Sequence, residues 1–159
     1  MAAAGKWKLY EQAKLRIGNL TIDLSDTTNW KVALFLSTSN ANTLSVGTGV
    51  YGDLLNEVAN AFGYTTGGQA LTTETWTNAA GTMTWNAASP AAWTAAGGSI
   101  TARFAVIYKN ATVNTIVKPL VAVCLLDATP ADVTATTGNT LTLTINASGI
   151  FTLSGATTD

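Results

Sequence analysis

Residues 140–146, Thr140-Leu141-Thr142-Leu143-Thr144-Ile145-Asn146, alternate strictly between apolar and hydroxyl or amide side chains. A period of two places Leu141, Leu143 and Ile145 on one face, the pattern of a strand with one buried and one wet side. The same period recurs upstream. Trp30–Leu36 aligns Trp30, Val32, Leu34 and Leu36, and Ile100–Tyr108 aligns Ile100, Ala102, Phe104, Val106 and Tyr108. Leu120–Leu126 is apolar on both faces, with Pro119 at its entry and Asp127–Pro130 at its exit, as expected of a central strand. Shorter strands are expected at Leu20–Leu24, Leu71–Thr77, Thr82–Asn86 and Ile150–Leu153, with hairpin turns at Asn78–Gly81 and Ala147–Gly149.

Many short strands between Gly, Asn and Ser turns predict a mainly β chain, an antiparallel β-sandwich of the jelly-roll or immunoglobulin-like kind. Two helices interrupt it. Trp7, Tyr10, Ala13, Lys14 and Ile17 follow helical spacing up to Gly18-Asn19, so residues 1–18 read as an N-terminal helix or arm and 19–159 as one sandwich domain. Within the long segment 37–70, Leu54, Leu55, Val58, Ala59 and Phe62 suggest a short internal helix over 53–62, capped by Asp53 and stopped by Gly63.

The 159 residues suit a single core. Apolar residues make up 47% and mean hydropathy is +0.25, which excludes a disordered chain. Charged residues are only 11%, far below the roughly 25% of an average soluble domain, so the surface is expected to be neutral and rich in Thr, Asn and Ser. No window approaches 18 uncharged apolar residues, so no membrane partner is expected. Net charge is -1, and no Lys/Arg stripe runs along any segment, so no nucleic-acid partner is expected either.

With no histidine in the chain, the imidazole relays and the His-containing zinc sites are excluded. The single cysteine, Cys124, lies in an apolar run and reads as a small core side chain. Gly47-Thr48-Gly49 lacks the lysine and helix of a phosphate loop. Asp53 and Glu57 stand four apart, where a helix cap and a solvated acid explain them better than paired acid/base chemistry. Asp127 and Asp132 are too few carboxylates to specify calcium, so that loop reads as a turn. No catalytic residue, metal ligand or cofactor is expected.

Charge is unevenly spread. The first 16 residues hold Lys6, Lys8, Lys14 and Arg16 against Glu11, a net charge of +3, while the remainder carries four cations and eight anions. This segment either packs on its own domain or docks on a neighbouring subunit. Five tryptophans are many for such a chain. Trp30, Trp76 and Trp85 fall in phase with inward residues, whereas Trp7 on the arm and Trp93 on an Ala-rich stretch are the better interface candidates.

The order of motifs is the most specific signal. A short N-terminal helix is followed by Leu20-Thr21-Ile22-Asp23-Leu24, Lys31-Val32-Ala33-Leu34-Phe35, and Leu55-Asn56-Glu57-Val58 with Gly63-Tyr64-Thr65-Thr66-Gly67-Gly68. Then come residues 97–108, GGSITARFAVIY, and a closing Thr-rich hairpin. Across nearly the whole chain this order resembles a family of small structural proteins of tailed bacteriophages and prophages. The resemblance implies a virion component, made in the bacterial host cytoplasm, without biochemical activity.

Together with the neutral surface and long loops, it leads to the expectation of a capsid decoration, or cement, protein. Its partners would be the major capsid protein or other virion proteins, and it would form a homo-oligomer. A tail, collar or neck component, or a carbohydrate-binding or host-attachment module, would share the composition. Interface residues expected on this reading are Lys6, Trp7, Lys8, Tyr10, Lys14 and Arg16 on the arm. Tyr51, Phe62, Tyr64 and Trp93 would contribute aromatic contacts, and Arg103 an ion pair across a subunit boundary. Deleting residues 1–16 is expected to weaken particle binding and to spare the fold.

Overall fold

The computed structural model describes residues 4–155. Over these residues the chain is mainly β, with antiparallel sheets and one α-helix. In order it runs β1 (Lys8–Leu9), α1 (Glu11–Gly18), β2 (Trp30–Phe35), β3 (Gln69–Ala70), β4 (Thr72–Ala79), β5 (Thr82–Ala88), β6 (Trp93–Thr94) and β7 (Ile100–Ala102). There follow β8 (Phe104–Lys109), β9 (Thr112–Val113), β10 (Ile116–Val117), β11 (Leu120–Leu125), β12 (Val133–Ala135), β13 (Thr140–Leu141) and β14 (Phe151–Ser154).

A five-stranded sheet, β1-β11-β8-β2-β3, forms the middle layer. Its three longest strands are apolar at almost every position because both faces are covered. On one face Trp30, Val32, Leu34, Ala105, Ile107, Ala122 and Cys124 meet the smaller sheets, with Trp30 and Trp85 edge to face at 5.0 Å. On the other, Ala33, Phe35, Val106, Tyr108 and Val123 are covered by Tyr10 and Ala13 of the N-terminal segment and by Ala41 and Val46 of the long loop. Burying each such side chain contributes about 1.5–3 kcal/mol. Cys124 lies among them, and burial pushes its thiol up to about 12. The small sheets are β4-β5-β14 and the pairs β7-β12, β6-β13 and β9-β10.

Several elements differ from their sequence readings. The internal helix over 53–62 does not form. Tyr51–Asp53 makes one 3-10 turn, and the chain then runs beside the end of β2, with Leu36 N donating to Asn56 O and Val58 N to Leu34 O. Asn56 and Phe62 adopt left-handed φ values of +58° and +56°, which no helix accommodates. Residues 20–24 form no strand, because the Asp23 and Asp26 carboxylates take the N–H groups of Ser25 and Thr28 and curl the chain locally. Ile22 and Leu24 are nevertheless buried, as their alternation implies.

Ile100–Tyr108 is broken at Arg103, whose N–H donates to Phe35 O and whose carbonyl accepts from Leu126 N. The break flips the phase, so Ile100 and Ala102 face the first core while Phe104, Val106 and Tyr108 face the second. Residues 140–146 keep the predicted alternation, with Leu141, Leu143 and Ile145 buried, but only Thr140 and Leu141 join a ladder, with β6. Ala147–Gly149 is a turn, yet β14 pairs with β5 and not back on 141–146. The Asn78–Gly81 hairpin forms as read.

One half-buried ion pair ties the loop before β2 to the end of β8. Lys109, nearly enclosed, donates to Asp26 at 2.6 Å and to Thr28 O at 2.5 Å and lies over the Trp30 ring. The Lys109 hydrogen bond, then that of Thr28, holds the Asp26 carboxyl below its usual range. Its stabilising contribution is therefore complete above the ordinary aspartate range, near about 4, and is lost as pH falls through the lower folded value. Asp26→Asn should flatten the acid limb of a stability-against-pH curve measured by urea unfolding. An unchanged acid limb would refute the assignment.

Candidate interaction surface

The arm is built into the body. β1 pairs with β11, Lys8 opposite Val123 and Leu9 opposite Ala122. Tyr10 is fully buried and donates from its hydroxyl to Ala41 O at 2.6 Å, and burial raises its phenol well above the ordinary value. Arg16 does not reach outward. Its guanidinium donates to Gly49 O and Thr48 O, each at 2.6 Å, and so closes the 47–49 turn onto the helix. Asp53 secures the same turn by accepting from Val50 N and the Thr48 hydroxyl. What this segment leaves at the surface is Lys6, Lys8, Glu11, Lys14 and Leu15, the last 61% exposed, with Trp7 half-buried.

The aromatic candidates are mostly interior as well. Tyr64 and Trp93 are buried against one another, with ring centroids 6.3 Å apart, so neither is an anchor for a partner. Trp93, expected on an Ala-rich stretch, sits on β6, which turns its ring inward. Tyr51 is stacked on Tyr108 at 4.3 Å. Phe62 is half-exposed and lies over Gly98, where an added Cβ would fall 2.4 Å from its ring. Arg103 pairs within the chain, with Asp132 at 2.8 Å, and not across a boundary.

Glu57, read as a solvated acid, is the hub of the long loop. Its carboxylate accepts from the Tyr51 hydroxyl, from the Tyr64 hydroxyl at 2.6 Å and from Gly67 N at 2.7 Å. Tyr64 in turn accepts from Leu34 N, and Tyr108 donates to Gly67 O. Burial, then the Glu57 charge, pushes the Tyr108 phenol up to about 12 and raises Tyr51 and Tyr64 further. All three tyrosines are therefore donors at neutral pH, Tyr51 and Tyr64 to the Glu57 carboxylate and Tyr108 to Gly67 O. The cluster fastens the loop to β2 and β8. Glu57→Ala strands three donors and should lower stability by about 3 kcal/mol in urea unfolding. A loss under about 1 kcal/mol would show that the loop is held by other contacts. Among the described residues, no three His, Cys, Asp or Glu side chains come together as metal ligands.

Two concave surfaces bear on partner binding. An apolar groove of about 480 Å³ runs between the end of α1 and the β4–β5–β14 sheet, lined by Ile17, Leu20, Ile22, Leu24, Trp76 and Leu153. Leu20 is 84% exposed and held at φ +61°, and Leu153 is 45% exposed. A leucine is rare in the left-handed region and gains nothing from water there, so the position is costly to the isolated chain on two counts. A larger cleft, about 750 Å³, lies between Ala4–Trp7 and residues 143–152, where Trp7 and Phe151 stand beside Thr144, Asn146, Ser148 and Thr152.

The outer face of the three-stranded sheet is neutral. Thr77, Thr84 and Thr152 form a row across its strands. Leu20 and Leu153 escaped sequence reading because each sits in an alternating run that predicts strand, one of which never forms. No helix among the described residues is long and apolar enough to cross a membrane. No family model, curated protein or solved structure matches the chain.

Proposed function

We propose that this chain is a non-enzymatic structural subunit of a tailed-bacteriophage virion, a decoration protein that binds the major capsid protein on the assembled head. The order of motifs along the sequence supports this reading. The observation that carries it is the apolar groove with Leu20 and Leu153 at its rim, a surface that a partner would cover and that the monomer leaves open. Around it, the body is braced internally by the Glu57 hub, the Arg16 clamp and the Lys109–Asp26 pair, so a rigid face is presented. Rigid faces bind with little ordering cost. Lys6, Lys8 and Lys14 supply exposed positive charge that steers the subunit toward an acidic lattice. Binding to the mature shell alone would stabilise it by mass action.

Replacing both rim leucines, Leu20→Ser with Leu153→Ser, should leave the fold intact and weaken binding to purified shells about tenfold or more, measured by co-sedimentation. Unchanged binding would remove the groove from the interface. A tail, collar or neck position would use the same surface at lower copy number. The cleft beside Trp7 favours a second reading, glycan binding, because an aromatic ring flanked by hydroxyl and amide groups suits a sugar. Quenching of tryptophan fluorescence by host glycans would support it, and loss of that quenching in Trp7→Ala would place it.

A further inference from the structure

The β4–β5 hairpin leaves a strand edge uncovered. β4 is outermost in its sheet, and among the described residues the backbone of Thr75–Ala79 pairs only with β5. The two-residue turn, Ala80 at φ +48° and Gly81 at φ +81°, closes on Ala79 and Thr82. In such a hairpin the closing pair exchanges both hydrogen bonds, and bonded and non-bonded pairs then alternate. Thr77 with Thr84 and Thr75 with Asn86 are therefore bonded pairs. The N–H and C=O of Trp76 and Asn78 consequently point away from β5, along the free edge.

Monomeric proteins guard such edges with Lys, Pro, bulges or very short strands. Other edges conform by being short: β1 has two residues and a lysine, β3 has two residues, and β14 has four and faces the Ala4–Trp7 segment across the larger cleft. β4 does not. Its bulge lies at the root, between Thr72 and Thr75, and residues 75–79 hold no charge and no proline. The one acid on the strand, Glu74, is buried. Trp76 also lines the apolar groove, so the open edge and the groove form one continuous surface.

We propose that β4 pairs antiparallel with β4 of a second copy about a twofold axis through Thr77, joining two three-stranded sheets into one of six strands. In this register Thr77 faces Thr77 of the partner subunit, and Trp76 exchanges both hydrogen bonds with Asn78 of the partner subunit. Thr75 falls opposite Ala79, hydroxyl meets hydroxyl on the outer face, and no like charges meet. A neutral edge offers nothing to select an acidic or basic peptide, whereas it is complementary to itself. The inference rests on the assembly reading only in treating this surface as an interface. The pairing requires no virion, so absence from particles would leave it standing, and its own failure would leave particle binding open.

The test uses the full chain in solution. A non-hydrogen-bonded pair on the axis brings Cα atoms to about 4.5 Å, within disulfide reach. Thr77→Cys should convert under mild oxidation to a reducible covalent dimer, while Thr84→Cys on the middle strand should not. Cys124, 2% exposed, does not compete. Thr77→Lys places two ammonium groups on the axis and should raise the dimer dissociation constant about tenfold or more in sedimentation equilibrium, with circular dichroism unchanged. A monomeric parent chain, a Thr77→Cys variant that cross-links no faster than Thr84→Cys, or self-association indifferent to Thr77→Lys would each overturn the proposal.

Discussion

A chain lacking residues 1–16 should not fold. The truncation removes β1 from the edge of the middle sheet, and with it Tyr10 and Ala13, both fully buried against Ala33, Phe35, Val106 and Val123. Loss of a buried aromatic side chain alone costs about 3–5 kcal/mol. The Arg16 clamp on Thr48 and Gly49 goes too, freeing the 47–53 turn, and one face of β11 meets water. Their sum is comparable to the whole stability of a domain, about 5–15 kcal/mol. The truncated chain should lose near-ultraviolet circular dichroism and cooperative unfolding. The triple variant Lys6→Ala, Lys8→Ala, Lys14→Ala removes exposed charge only and should stay within about 0.5 kcal/mol per site. A truncated chain that melts like the parent would mean that the segment is a detachable arm after all.

Gly68→Ala should destabilise the chain by more than about 4 kcal/mol. Gly68 sits at φ +68° where the long loop returns to the sheet edge, directly before β3. A Cβ added there would fall 1.9 Å from Val32 O and 2.7 Å from Ala33 Cα, both backbone atoms of β2 that cannot swing aside. β2 is paired along its whole length with β8, so relief has to come from displacing β3 and unmaking the Gln69 and Ala70 pairings. Gly97→Ala is the control. Its φ, +70°, is similar but nothing lies within 4 Å, so only the conformational penalty of about 1 kcal/mol applies. Equal losses in the two variants, by urea unfolding, would show that the loop yields at Gly68 and that its docking is soft.

Period-two patterning made the fold class legible. It placed Val32, Leu34, Leu141 and Leu143 inside, and it identified the Asn78–Gly81 hairpin. Patterning failed where the fold spends a residue on something other than a ladder. At Arg103 a single residue leaves the strand to bond Phe35 and Leu126, and no local signal announces the change of phase. Over 53–62 the helical spacing of Leu54, Leu55 and Val58 is outweighed by the three donors that converge on Glu57. Two of them, Tyr51 and Tyr64, flank Glu57 at six and seven residues, but only the folded loop brings them to one acceptor.

The candidate interaction surface was less legible than the fold. Of the residues expected to reach a partner, Lys6, Lys8 and Lys14 are exposed, Trp7 lines the larger cleft, and Phe62 is half-exposed. Tyr10, Arg16, Tyr64 and Trp93 are interior, and Tyr51 and Arg103 are committed within the chain. Aromatic and cationic residues suit an interface and a small core equally well, and composition does not separate the two uses. Leu20 and Leu153, which stand open beside the edge of β4, are residues that look interior in sequence.

The copy number of this chain in purified virions tests the virion assignment most directly, by quantitative mass spectrometry against the major capsid protein. The account predicts hundreds of copies in simple ratio to the shell subunit. A count of six, twelve or a few dozen would move the protein to the neck, collar or tail, and absence from the particle would contradict a structural role in the virion altogether.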